Sequence, residues 1–227
     1  MKAVLTTLAL AILPLMDVQG ATIDTFKTGI DESTGNVLAD NAADVNWTIV
    51  SLTGGSDGSF PRAAVATGKE PGWHSSIPMA GTGLITRGTD WNGQNGTYAY
   101  QYQFTANTAS YTNFAVGGLA WADDQVRVLL NGNEIMAMSS TIWNANPVSF
   151  TNATQAYFVN GLNTLTFEVY NSGGGPTALN VSGIVTATPI PEAHEWAMML
   201  LALGMVGYFR REQIAEWWNR QQAQITT

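Results

Sequence analysis

Between Ala21 and Thr188 the chain runs in short stretches of alternating apolar and polar residues, broken roughly every 10 to 20 residues by Gly- and Asn-rich turns. No stretch there keeps the 3.6-residue period of a helix, so this segment must fold as strands. Tyr98, Tyr100, Tyr102 and Phe104 take alternate positions, which puts one aromatic row on one face of a strand, the face expected to turn to a core. Leu165, Phe167 and Val169 alternate in the same way with Thr166, Glu168 and Tyr170, and residues 47–52 alternate before a turn cluster at 54–58. Residues 126–130 read as a strand closed by Asn131-Gly132, a pair that tolerates positive φ and so suits a tight hairpin turn. A second Asn-Gly follows residues 156–159, and a last strand is expected over 179–185.

Strands at this spacing predict an all-β fold, a jelly roll or β-sandwich over residues 21–186. A domain of that length is ample for one core. The chain has no cysteine, so the core holds by packing alone, without disulfides or a thiolate metal site. Only 11% of residues are charged and the net charge is -8, with Lys and Arg scattered. Nucleic acid is excluded as a partner, because its recognition needs a concentrated positive surface.

Both ends differ from the middle. Lys2, an apolar run over 4–16 and the small-residue exit at Gly20-Ala21 read as a signal peptide of residues 1–20, cut after Gly20. At the other end, the linker of residues 187–195 holds Pro189, Pro191 and Glu192, and a stiff, extended backbone is expected there. Residues 196–211 then form an uncharged apolar helix closed by Arg210-Arg211, and 212–227 form a polar tail with Ile214, Trp217 and Trp218 on one helical face. As a helix the 14 apolar residues from Trp196 to Phe209 reach only about 21 Å, against a hydrocarbon core of about 30 Å, so a membrane anchor here is marginal.

Pro191, Glu192, Trp196, Gly204, Gly207, Arg210 and Arg211 resemble the PEP-CTERM sorting signal of exopolysaccharide-producing Gram-negative bacteria. The resemblance implies an exosortase-like membrane protease as a partner, contact with the membrane through the C-terminal helix, and a destination in the cell envelope or extracellular matrix. Two departures stand out: Ala193 replaces the family's second proline, and the chain runs on for 16 residues past Arg211. The stretches 96–100, 121–132, 158–165 and 171–179 in turn resemble the galactose-binding-like jelly rolls that many such proteins carry. That likeness implies a fold more than a ligand.

No catalytic residue stands out. Neither His74 nor His194 belongs to a triad or a metal-ligand spacing, and Asp90, Glu134 and Glu168 are too far apart in sequence to be paired as a glycosidase couple. Asp123-Asp124 would point to opposite faces if on a strand; in a loop they offer oxygen ligands to a structural Ca²⁺, with turn and cap chemistry as the competing role. No other cofactor is implied. Trp73, Trp91 and Trp143 sit in loops beside small or polar residues, where exposed rings would stack on sugars. The sequence therefore predicts a non-catalytic surface protein contacting extracellular polysaccharide. A polysaccharide-active enzyme and a purely structural or adhesive domain are the alternatives.

Overall fold

The computed structural model describes residues 20–69, 71–89 and 91–225. The signal peptide expected at 1–20 falls, except for Gly20, outside the described residues. Two units are distinct, one ending at Pro189 and one starting at Ile190.

The first unit is all β. Its strands are β1 (Ala21–Lys27), β2 (Ile30–Asp31), β3 (Asn36–Val37), β4 (Ala43–Thr53), β5 (Arg62–Thr67), β6 (Leu84–Thr86), β7 (Asn92–Gly93) and β8 (Gly96–Ala106). They continue as β9 (Tyr111–Asp123), β10 (Gln125–Leu130), β11 (Asn133–Met136), β12 (Val148–Asn152), β13 (Gly161–Asn171), β14 (Gly175–Pro176) and β15 (Ala178–Pro189). The main sheet follows the order β11-β10-β13-β8-β4-β5-β6-β15-β9-β12, with β1 also on β15. It curls so that its two halves face each other as a jelly-roll sandwich. Aromatic pairs join the halves: Phe150 of β12 meets Phe167 of β13 at 5.5 Å between ring centres, and Phe26 of β1 meets Tyr102 of β8 at 5.3 Å.

Alternation in the sequence becomes alternation in burial. Tyr98, Tyr100, Tyr102 and Phe104 all face the core, as do Leu165, Phe167 and Val169. The Asn131-Gly132 turn has φ of 50° and 80°, so the hairpin between β10 and β11 forms as expected. Residues 155–157, by contrast, form a single 3-10 turn and no strand. Asn163 explains why: its carboxamide bonds the backbone of Val159 and Gly161, fixing an irregular approach to β13. Close approach, not turn geometry, requires Gly183, where a Cβ would lie 2.2 Å from the Phe26 ring.

The extended chain assigned to a linker is partly laddered. β15 continues to Pro189, pairing Thr188 with Thr112 and Pro189 with Tyr111. Extended Thr- and Pro-containing backbone is equally strand backbone, and a proline at a strand end gives up little of the ladder.

The second unit carries one helix, α1 (Ala193–Ile225), which includes the expected 196–211 helix and continues through the tail. Among the described residues no helix is long and apolar enough to cross a membrane. The transmembrane reading of residues 196–211 is therefore corrected: charges from Arg210 onward cut the apolar run short of a span.

Asp44 shapes how the first unit responds to pH. Fully buried on β4, it accepts hydrogen bonds from the Gly29 N–H at 2.7 Å and the Asn46 N–H at 3.2 Å. Burial outweighs these donors and, aided by Glu32, pushes its carboxyl from 3.8 up to about 6. A raised pKa in the folded state means stability that is full below about pH 4 and lost as pH rises through about 6, by at most about 3 kcal/mol. Thermal melts across that window should show the decline, and Asp44→Asn, which keeps an acceptor oxygen, should flatten it. An unchanged slope in the variant would remove Asp44 as the cause.

Candidate functional site

Three loops, 71–79, 139–147 and 171–177, meet at the end of the sandwich where β9 and β13 finish and β15 begins. Between them lies a pocket of about 230 Å³ lined by Trp73, Asp123, Asp124, Trp143, Asn171, Ser172, Gly174 and Pro176. Four of the five side chains proposed for ligand or metal contact thus come together.

Trp121 explains why the first loop lies where it does. It sits on the outer side of β9 yet is fully buried, because Trp73 packs edge-on against it at 5.4 Å between ring centres. Trp73 is itself only 4% exposed, and its indole N–H donates to Asp123 Oδ2 at 2.7 Å. The expectation of an exposed Trp73 ring is corrected: an outward-facing tryptophan on a strand needs a cover, and Trp73 supplies it.

Trp143 is different. The residue is 37% exposed, while its backbone is held on both sides. The Ile142 N–H donates to the Asp124 carbonyl at 2.8 Å, the buried Ile142 side chain anchors the turn, and the Trp143 carbonyl accepts the His74 N–H at 3.2 Å. His74 stays half-buried at the loop, its Nδ1 paired with the Ser76 hydroxyl at 2.7 Å.

The third loop is fixed by side chains. Asn171 is buried and donates from Nδ2 to the Gln94 carbonyl at 3.1 Å, and the Gly173 N–H donates to Asn95 Oδ1 at 3.0 Å. Pro176 pairs with Asn92 through the short β14–β7 ladder. Trp91, 37% exposed, precedes that ladder and accepts the Thr177 N–H at its carbonyl, but it is not a pocket-lining residue.

Asp123 ends β9, Asp124 lies between β9 and β10, and the peptide joining them is cis. Both line the same pocket, so the opposed-face arrangement of a strand does not apply. Asp124 Oδ2 accepts the Ser172 N–H at 2.7 Å, as Asp123 Oδ2 accepts Trp73. Among the described residues no group of three or more His, Cys, Asp or Glu side chains could hold a metal ion. Two carboxylates already engaged by N–H donors are an incomplete set for Ca²⁺, which takes six to eight oxygens.

Of the residues considered for acid–base work, Asp90 lies outside the described residues. Glu134 and Glu168 do meet, on either side of Arg127, because β11, β10 and β13 are neighbours. Arg127 Nη1 lies 3.7 Å from Glu134, and its guanidinium bonds Glu168 directly. The cation between them makes this an ion cluster on a sheet face and not a catalytic couple.

A wider concavity of about 500 Å³ lies over β4 and β8, lined by Asn46, Thr48, Gln101 and Gln103 among others. Its aromatic residue, Tyr102, is buried and gives its hydroxyl to Asp24 at 3.0 Å. No ring is offered there for stacking, so the smaller pocket is the better candidate.

In the second unit, Pro191 and Glu192 precede α1, Trp196 is exposed on its first turn, and the Arg211 guanidinium lies 5.8 Å from the centre of the Tyr208 ring. Arg210 is half-buried. The His194 side chain lies outside those described.

No family model matches the chain, and no curated protein matches it. Among solved structures it is similar to a family 35 carbohydrate binding module from an environmental isolate, at 13% identity over 66% of this chain and 97% of the other, with a TM-score of 0.34. A CBM35 from Paenibacillus barcinonensis is similar at 14% identity over 70% and 97% of the two chains, TM-score 0.31. The CBM36-1 domain of a multidomain xylanase from the hindgut metagenome of Trinervitermes trinervoides shows 14% identity over 62% and 96%, TM-score 0.26.

Proposed function

We infer that the chain is an exported, non-catalytic surface protein whose jelly roll holds polysaccharide in the Trp143 pocket. One observation carries this reading: an exposed indole, fixed through its own backbone, stands over a small polar pocket built from three tied loops. Sugar recognition combines such a ring, which takes the apolar face of a pyranose, with polar groups that fix its orientation. Catalysis is disfavoured because the pocket's acidic pair is adjacent in sequence and each member is bonded to a neighbouring N–H. A glycosidase sets two carboxylates on opposite sides of the bond, roughly 5 to 10 Å apart.

The same reading takes residues 1–20 as a signal peptide and Pro191, Glu192, Trp196, Arg210 and Arg211 as a sorting signal for an exosortase-like membrane protease. The residue pattern supports it, together with a helix that begins at Ala193, directly after Pro191-Glu192. The destination is the cell envelope or the extracellular matrix.

One preparation tests both parts. The full chain, expressed in a Gram-negative host with an exosortase, is fractionated, its termini are read by mass spectrometry, and its retention on a polysaccharide panel is measured alongside reducing-sugar release. Protein outside the cytosol, lacking residues 1–20 and retained without release of reducing ends, is expected. Full-length 24.3 kDa protein in the cytosol would remove export and sorting. Release of reducing ends would make the protein an enzyme, and self-association without glycan retention would make it an adhesive domain.

A further inference from the structure

We propose that the Trp143 pocket selects glycans bearing a free amine, of the 2-amino-2-deoxy sugar type, over neutral sugars and against uronic acids. The inference rests on the polysaccharide-binding reading and adds the class of sugar.

Two independent features of the lining favour a cation. The first is the pair of carboxylates, Asp123 and Asp124, with no lysine or arginine among the lining residues. Lys69, on the approach to the first loop, donates to the His74 carbonyl at 2.6 Å and is not part of the wall. Asp124 uses Oδ2 for the Ser172 N–H, and no described residue bonds its Oδ1. The second feature is the exposed indole of Trp143, since Trp73 is buried against Trp121. A tryptophan face attracts a cation through its quadrupole, more strongly than the other aromatic rings do. Carboxylate and indole together suit an ammonium group on a ring that stacks on Trp143.

The same lining repels a uronate. A sugar carboxylate would enter beside two carboxylates and find no lysine or arginine among the lining residues to receive it, and like charges facing each other cost several kcal/mol in an interface. A neutral hydroxyl or acetamido group meets neither the attraction nor the repulsion. The expected order is therefore amine, then neutral, then uronate.

The test measures binding of the full chain to glucosamine, N-acetylglucosamine and galacturonate oligomers of equal length. The pH is held near about 6, below the range where such amines lose their proton. Glucosamine oligomers should bind about 10-fold or more tighter than the acetylated ones, the size expected of a hydrogen bond to a charged group. Galacturonate should bind least. In Asp124→Asn, which retains an acceptor for the Ser172 N–H, the amine-to-acetyl ratio should fall by about 3-fold or more.

Equal or tighter binding of galacturonate overturns the proposal. So does an amine preference that is undiminished in Asp124→Asn, which would take the selectivity away from this carboxylate. Loss of all three ligands in the wild-type chain would instead remove the polysaccharide reading itself. Binding of tetramethylammonium without any oligosaccharide would make the pocket a cation site and overturn the glycan assignment.

Discussion

Replacing Trp143 with alanine is expected to weaken glycan binding by at least about 30-fold, about 2 kcal/mol, with little change in thermal stability. Trp143 is 37% exposed, so its removal opens no enclosed cavity. The bonds that hold the turn run through the backbone of Ile142, Trp143, His74 and Asp124, and alanine keeps all of them. What alanine lacks is the flat surface on which a pyranose would stack. Isothermal titration of wild-type and variant chains against a retained oligosaccharide checks this, with circular dichroism melts as the control on folding. Full affinity in the variant would end the assignment of the pocket as the glycan site. Trp91→Ala is the companion variant: its ring is equally exposed, but it stands outside the pocket.

Trp73→Ala should do the opposite, costing roughly 3 to 5 kcal/mol of stability, the range for deleting a buried aromatic side chain. Trp73 is closed off from solvent, seals Trp121 against water and gives Asp123 its 2.7 Å hydrogen bond. Alanine leaves a cavity beside one indole and takes the N–H donor from a carboxylate that is 7% exposed. Denaturant unfolding measures the loss, and Trp73→Phe separates its parts by filling most of the volume without the N–H. A loss below about 1 kcal/mol for alanine would mean that the loop does not act as a cover.

The strands were legible wherever one face is buried and the other open. β8 and β13 follow that rule, which is why Tyr98 to Phe104 and Leu165 to Val169 can be assigned to the core from alternation alone. The rule fails where both faces are covered. In β15, Ala178, Leu179, Asn180 and Val181 are all buried, because residues 77–83 cross the outer side and their backbone and hydroxyls bond the Asn180 carboxamide. A polar residue there looks exposed in sequence, and only the non-local cover shows otherwise.

The pocket was legible as residue types but not as a place. Trp73, Trp143, Asp123 and Asp124 are separated by up to 70 positions, and the sheet order brings their loops together. Asn171 and Ser172 carried a weaker signal, a Gly-rich loop whose rigidity depends on Gln94, Asn95 and Asp124. Sequence distance also misled for Glu134 and Glu168, since neighbouring strands set both beside Arg127.

β15 has a polarity that matters beyond the fold. Its first residue, Ala178, pairs with Asp123 at the pocket, while its last, Pro189, pairs with Tyr111 at the far end. Ala21, at the start of β1, pairs with Ala187 near that same far end. At about 3.3 Å per residue the strand measures roughly 35 Å, so the pocket and the chain's exit lie a full strand length apart. Anything joined to this unit at either end therefore attaches at the end opposite the pocket.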